Sequence, residues 1–252
     1  MVNPNLDPIL NFRGKVALVT GGSQGLGYAM VMALAERGAD VIIASRKLEN
    51  CERVAEEVRQ MGRRALAVSA HVGRWDQCDR LIEESYAAFG RVDILINNAG
   101  MSPACPSHEV TEKLFDAVLN LNFKGPFRLS SAIAHRMSDG SGGCIINISS
   151  NGAFMALPGV VPYGSAKAAL NAMTVSLAAE YGPKVRVCGI SAGPFMTPAH
   201  TDWDEATVAK IKNAVGRPGQ TDEIVAAVLL LASDASSYTT GAVLRVDGGQ
   251  RG

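Results

Sequence analysis

Apolar residues fall into two alternating patterns along the chain. The first is the short unbroken run: Lys15 to Thr20 (KVALVT), Asp40 to Ser45 (DVIIAS), Arg64 to Ala70, Val92 to Ile96, Cys144 to Ile148, Val185 to Ile190 and Ala242 to Val246. Runs this short, rich in Val and Ile, read as strands buried on both faces of a parallel sheet. The second pattern places apolar residues three and four apart with charges between them. Leu48, Cys51, Val54, Val58 and Met61 form one such helical stripe, which Gly62 ends, and Cys78, Ile82, Tyr86 and Phe89 form another. Further helices are expected up to Arg37, from about Thr111 to Met137, from about Val161 to Tyr181 and from Asp222 to Ala232. Asn122, Gly125 and Pro126 weaken the Thr111 to Met137 helix, so a local bend is expected there.

Strand and helix alternate throughout, which predicts an α/β fold: about seven mostly parallel strands with helices on both faces. No internal repeat, low-complexity tract or linker interrupts the pattern, so the chain reads as one domain, residues 1–252. Residues 1–11 read as an extended leader. Residues 194–216, with early prolines, Trp203 and a weak helical pattern, read as a mobile lid over a substrate.

Composition narrows the class. The chain has 252 residues, 47% of them hydrophobic, enough to bury a core. Lys plus Arg and Asp plus Glu both number 24, which argues against a nucleic-acid or anionic-membrane surface. Cys51, Cys78, Cys105, Cys144 and Cys188 are scattered and odd in number, without a C-x-x-C pair, which fits reduced thiols better than a disulfide framework. His71, His108, His135 and His200 share no short spacing with Cys or acids, so no metal site is expected. The first thirteen residues do not read as a secretory signal, and Val225 to Ala232 is too short to span a bilayer. A soluble cytoplasmic protein is expected.

Three stretches carry candidate chemistry. The first strand runs directly into Gly21-Gly22-Ser23-Gln24-Gly25-Leu26-Gly27 and then a helix. Strand, glycine turn and helix together suit a pyrophosphate, because bare backbone can approach it and the helix start offers unpaired N–H groups. The second strand ends in Ser45-Arg46-Lys47. Sites for the unphosphorylated dinucleotide place an acid about 20 residues beyond the glycines; Arg46 would instead attract a 2′-phosphate, so NADP(H) is favoured over NAD(H). Arg46 and Lys47 in a solvated loop is the plainer alternative. The third stretch is Tyr163-Gly164-Ser165-Ala166-Lys167, which on a helix puts a phenol and an ammonium one turn apart on one face. A fixed cation favours phenolate, bringing a pKa of about 10 towards the working range.

These residues together resemble the classical short-chain dehydrogenase/reductase family. The matching motifs are Thr20-Gly21-x-x-x-Gly25-x-Gly27, Asn97-Asn98-Ala99-Gly100, Asn122, Ser150, Tyr163-x-x-x-Lys167 and Gly193-x-x-x-Thr197, in the family's order and across almost the whole chain. The resemblance implies a Rossmann-type doubly wound domain and a set of roles. Tyr163 would be general acid for carbonyl reduction and base for alcohol oxidation. Ser150 would hydrogen-bond the substrate oxygen, although chemistry alone leaves Ser149 open. Lys167 would hold the nicotinamide ribose and lower the Tyr163 pKa, and Asn122 would hold a water in a proton relay. Gly21, Ser23, Gly25, Leu26 and Gly27 would hold the pyrophosphate, Ser45 and Arg46 the adenosine ribose, and His71, Val72, Asn98, Ala99 and Gly100 the adenosine side. Gly193 and Thr197 would border the nicotinamide. His71 stands where the family usually has an acid, and could contact adenine or be an ordinary loop residue.

The resemblance further implies a homo-oligomer, tetramer or dimer, and a small carbonyl or alcohol substrate. Phe154, Met155, Leu157, Pro158, Phe195, Met196 and Trp203 are candidates to line an apolar or mid-sized pocket. A general carbonyl reductase is the leading reading. A 3-oxoacyl carrier-protein reductase and a non-catalytic dinucleotide-binding regulator are the alternatives.

Overall fold

The computed structural model describes residues 8–198, 208 and 211–250. Seven strands form one sheet: β1 (Val16–Thr20), β2 (Asp40–Ser45), β3 (Ala65–Ser69), β4 (Ile94–Asn97), β5 (Gly143–Ser150), β6 (Val185–Ala192) and β7 (Val243–Val246). Their spatial order is β3-β2-β1-β4-β5-β6-β7, and every neighbouring pair is parallel. The order reverses between β1 and β4, which opens a crevice at the carboxyl ends of those strands, where open α/β sheets bind ligands.

The helices are α1 (Gly25–Glu36), α2 (Leu48–Gln60), α3 (Trp75–Phe89), α4 (Glu112–Leu119), α5 (Gly125–Asp139), α6 (Val161–Tyr181) and α7 (Val225–Ala232). Alternate strand residues feed two cores. Ala17, Val19, Val41 and Ile43 pack with Met30 and Val31 of α1, Val54 and Val58 of α2, and Val228 of α7. Val16, Leu18 and Ile42 pack on the other face with Leu81 and Ile82 of α3, Leu129 and Ile133 of α5, and Leu170 and Met173 of α6. This is the doubly wound α/β arrangement the hydrophobic pattern predicts.

Several boundaries differ. Strands β5 and β6 each run two residues further than the apolar runs, through Ser149-Ser150 and Ser191-Ala192, paired Ser149 with Ser191 and Ser150 with Ala192. Polar residues at a ligand-facing strand end hide its true length. The expected bend at Asn122 is a π-helical turn, Asn120–Lys124, which joins α4 to α5. A methyl group on Gly125 would lie 1.8 Å from the Val72 carbonyl oxygen, so only glycine lets this turn approach the β3 side. Residues 8–10 are not extended: Pro8–Leu10 form a 3-10 turn, Leu10 packs on the core and Phe12 is buried, because the apolar members of the leader have a surface to cover. The start of the final helix is a 3-10 turn, Thr221–Ile224, closed by a capping box between Gln220 and Glu223. Trp203 and the weak helix expected around it lie outside the described residues, as do residues 1–7 of the leader.

Candidate active site

The glycine turn is shaped by contacts that exclude side chains. Gly21 and Gly25 have φ of 65° and 56°, a region that favours glycine. A methyl on Gly27 would lie 2.1 Å from the Gly21 oxygen, so α1 rests directly on the turn. Ser23 and Leu26 lie within it, and the Gln24 side chain does not cap α1, whose first N–H groups therefore keep their capacity for an anion. Asn98 braces this turn: its Nδ2 donates to Thr20 O at 2.9 Å and to Gly21 O at 3.3 Å. The Asn98 and Ala99 N–H groups both donate to Thr20 Oγ1, at 3.0 and 3.1 Å. Asn98 thus holds β1 to β4 across the switch point and spends its side chain doing so.

Thr197 approaches from the β6 side; a methyl on Gly25 would lie 3.4 Å from its Cβ. Gly193 is pressed against the C-terminal turn, where a methyl would lie 2.6 Å from Asp247 Cα.

At the end of β2, Ser45 Oγ accepts from Ser23 Oγ at 2.9 Å and from Cys51 Sγ at 3.3 Å. Arg46 and Lys47 are exposed beside it. Neither side chain makes a hydrogen bond or ion pair with a described residue. Arg53 of α2 also reaches this corner: it donates to Ser23 O at 3.2 Å and to Glu57 at 2.7 Å, and sits over the Tyr28 ring. Nothing in its charged helical stripe marks Arg53 as different from its neighbours.

His71 belongs to the turn before α3. Its N–H donates to Gln77 Oε1 at 2.6 Å, and its Nδ1 accepts from Gly73 N–H at 3.2 Å, so the ring keeps its remaining proton on Nε2. The Val72 side chain is buried in the core, and its carbonyl accepts from Cys78 Sγ, which leaves only its N–H for a ligand.

Four groups converge at the carboxyl end of β5. Pro162 stands in the first turn of α6, and Tyr163 and Lys167 follow on one face of that helix. Lys167 is 4% exposed; its Nζ donates to Ile148 O at 2.8 Å and lies 5.7 Å from the Tyr163 ring centroid. Burial pulls the Lys167 pKa down from 10.5 to about 8. Burial likewise raises the Tyr163 phenol above 10, and a hydrogen bond with Ser150 opposes that rise. The expected lowering of the phenol by Lys167 is not seen in this arrangement. The lysine proton points to a backbone carbonyl, and the desolvation that should sharpen the attraction weakens the hold on that proton instead.

Ser150 Oγ accepts from Gly152 N–H at 3.1 Å and donates to Asn151 Oδ1 at 3.2 Å. Ser149 Oγ donates to Lys167 O, so Ser150 is the serine beside the phenol. Asn122, in the π turn, is fully buried; its Nδ2 donates to Met101 O and Val118 O at 2.9 and 3.0 Å. Its Oδ1 has no partner among the described residues. A methyl on Gly100 would lie 2.7 Å from Asn122 Oδ1 and 3.7 Å from Lys167 Nζ, so an orphan acceptor and a buried ammonium face the same small gap.

The proposed pocket residues divide. Phe195 is buried and stacks where a Gly219 methyl would stand 2.7 Å from its ring, which makes it packing. Leu157 packs against Gly152, and Phe154 is exposed. The sequence reading missed a buried polar ladder: Asn97 Nδ2 donates to Ser130 Oγ and Asn147 Oδ1, and Asn147 Nδ2 to Thr174 Oγ1, all at 2.9 Å. The alternation Ile-Asn-Ile within β5 was the only trace of it.

Among the described residues no group of three or more His, Cys, Asp or Glu is placed to hold a metal ion, and no helix is long and apolar enough to cross a membrane. The bare glycine turn and the uncapped helix start together fit a nicotinamide dinucleotide lying across the switch point.

Comparison with known proteins agrees. The family model for short chain dehydrogenases matches residues 15–207. A (2S)-[(R)-hydroxy(phenyl)methyl]succinyl-CoA dehydrogenase subunit of Thauera aromatica is 34% identical over 247 residues, covering 96% of this chain and 98% of its own. A 7α-hydroxysteroid dehydrogenase complexed with NADH and 7-oxo glycochenodeoxycholic acid superposes with a TM-score of 0.92 at 30% identity, covering 96% of each chain. A blue fluorescent protein from a metagenomic library, in complex with NADPH, gives 0.90 at 34% identity over 95% of this chain and 98% of that one.

Proposed function

Because the chain belongs to the short-chain dehydrogenase family, we propose that it is an NADP(H)-dependent oxidoreductase that interconverts a carbonyl and a secondary alcohol on an apolar or mid-sized substrate. The observation that carries this reading is the meeting of Ser150, Tyr163, Lys167 and Asn122 at one strand end. When bound, the nicotinamide would supply or accept the hydride.

The chain's own groups do the rest. Ser150 presents its hydroxyl to the substrate oxygen and stabilises the charge that develops there. Tyr163 gives that oxygen its proton in reduction and takes it back in oxidation. Lys167, with a pKa drawn to about 8, exchanges a proton readily near neutral pH, and Asn122 Oδ1 faces it across a gap where a water would complete a path to the phenol. Gly21, Ser23, Gly25, Leu26 and Gly27 would receive the pyrophosphate and Gly193 and Thr197 border the nicotinamide, with Ala99 and Gly100 and the His71–Val72 turn on the adenosine side.

The cofactor preference rests on Arg46: an exposed guanidinium beside Ser45, in no ion pair with an acid among the described residues, suits a 2′-phosphate. Relatives with NADH and with NADPH both exist, so this residue rather than the family carries the choice. We further infer a single catalytic domain, a cytoplasmic setting and a homo-oligomer. The exposed face of α6 from Val161 through Ala168 and Ala172 to Val175 carries no charged side chain and supports the last point.

The test is NADPH oxidation over a panel of ketones, keto sugars, quinones and 3-oxoacyl thioesters, with Tyr163→Phe alongside. Turnover of one class that vanishes in the variant supports the reading. Silence across the panel despite tight NADPH binding would favour a dinucleotide-binding regulator.

A further inference from the structure

The corner where the glycine turn meets the end of β2 carries a second arginine besides Arg46. Arg53 stands on α2, one turn before Glu57. Its guanidinium donates to Glu57 Oε1 at 2.7 Å and to Ser23 O at 3.2 Å, and lies 5.8 Å from the Tyr28 ring centroid. Tyr28 of α1 donates its O–H to the other Glu57 oxygen at 2.6 Å. That bond lifts the phenol above its ordinary 10, so Tyr28 keeps the proton it gives. Tyr28 holds Glu57, Glu57 holds Arg53, and Arg53 is fixed at Ser23 before any ligand arrives.

The unspent groups at this corner are donors. A guanidinium has five N–H groups, and Arg53 spends two of them on described residues. Ser23 and Ser45 share one hydrogen bond at 2.9 Å, and two hydroxyls joined by one bond leave one O–H proton over, whichever of them donates. Arg46, next along the chain from Ser45, is exposed and in no ion pair with an acid among the described residues. Glu57, the acid paired with Arg53, has both oxygens occupied, one by Arg53 and one by Tyr28. Donors without free acceptors select an anion. A phosphate monoester carries close to two negative charges at neutral pH, which one guanidinium only half matches.

We propose that Arg53 is a specificity-determining residue for the cofactor: with Arg46 it forms a two-guanidinium seat for the 2′-phosphate, beside the Ser23–Ser45 hydroxyl pair. The two arginines divide the work. Arg46 is free and must be ordered when the phosphate arrives. Arg53 is already ordered by Glu57, Ser23 and the Tyr28 ring, so its charge is delivered at less entropic cost. The inference rests on the reading that the cofactor is phosphorylated at the ribose.

Two fragments of the cofactor test it without turnover. Adenosine 2′,5′-bisphosphate carries the 2′-phosphate and adenosine 5′-monophosphate lacks it; calorimetry on the full-length chain measures both. The wild-type protein should prefer the bisphosphate. Arg53→Gln keeps a donor for Ser23 O but no charge. It should weaken the bisphosphate by roughly five- to fiftyfold, the size of one charge-assisted contact, and leave the monophosphate within about twofold. Arg53→Gln combined with Glu57→Gln removes a cation and an anion together, so net charge is unchanged and no carboxylate is left unpaired. This paired variant should still lose the bisphosphate selectively. Adding Arg46→Ala to it should abolish the preference.

Wild-type bisphosphate affinity in the paired variant would overturn the proposal, tracing any loss in Arg53→Gln to the bared Glu57 charge. Equal weakening of both fragments would also overturn it, by making Arg53 a brace of the glycine turn. A wild-type protein that binds the two fragments alike would refute the phosphorylated-cofactor reading itself. A preference lost in Arg46→Ala but kept in both Arg53 variants would refute the two-arginine seat alone.

Discussion

At position 167 an ammonium is held out of water with a backbone carbonyl as its partner, and this has a consequence for stability as well as chemistry. In the unfolded chain Lys167 titrates at its ordinary 10.5 and in the fold at about 8. Between those values the unfolded chain holds the extra proton, so this group makes unfolding harder as pH rises from 8 towards 10 and contributes a constant penalty below 8. The depressed pKa corresponds to about 3 kcal/mol. Lys167→Met should therefore flatten the rise in unfolding free energy across that window, measured by denaturant titration at several pH values; an unchanged pH slope would remove Lys167 as its source.

Two more expectations belong to single residues. Tyr163→Phe should lower turnover by on the order of 10²–10⁴, the usual worth of a general acid, while NADPH binding measured by fluorescence stays within about twofold. Arg46→Ala should weaken NADPH by about 1–3 kcal/mol and leave NADH nearly unchanged; equal weakening of both would sink the 2′-phosphate assignment. Tyr163, Lys167 and Arg46 were visible in the sequence because each is chemically unusual for its place. Arg53 was not, since one arginine in a charged helical stripe looks like another. Asn151 was invisible for a different reason: its buried amide bonds to Gln250, and no local pattern couples residues so far apart.

Among the elements, those defined by apolar repetition were read well. Strand β2 and helix α6 keep their expected ends, Asp40 to Ser45 and Val161 to Tyr181. Strands β5 and β6 were cut short at Ser149 and Ser191, where the chain trades apolar side chains for hydroxyls on the ligand side. The bend near Asn122 was legible from its breakers, but its π geometry was not, because the cause is a contact with Val72 on another element. That contact gives a prediction. Gly125→Ala places a methyl against a backbone oxygen that cannot swing away, so unfolding free energy should fall by about 1–3 kcal/mol or more. If the π turn is what aims Asn122, turnover should fall further than the lost folded fraction explains.

On the scale of the whole molecule, the two apolar layers account for the fold, and the uncharged outer face of α6 remains. Val175 is 54% exposed on that face. Val175→Glu should shift the protein to a smaller assembly in sedimentation velocity, with its far-ultraviolet dichroism retained; an unchanged sedimentation coefficient would show that this face is not an interface.

The amide ladder through Asn97, Asn147 and Thr174 has one more implication. Oily side chains forgive a shifted alignment, because one methyl group is much like another. Buried amides do not: slide β5 against β4 by one position and Asn147 turns to the opposite layer, away from both Asn97 and Thr174. The ladder acts as a key cut for one lock, penalising every misaligned sheet at the spot where the phenol-bearing helix must seat.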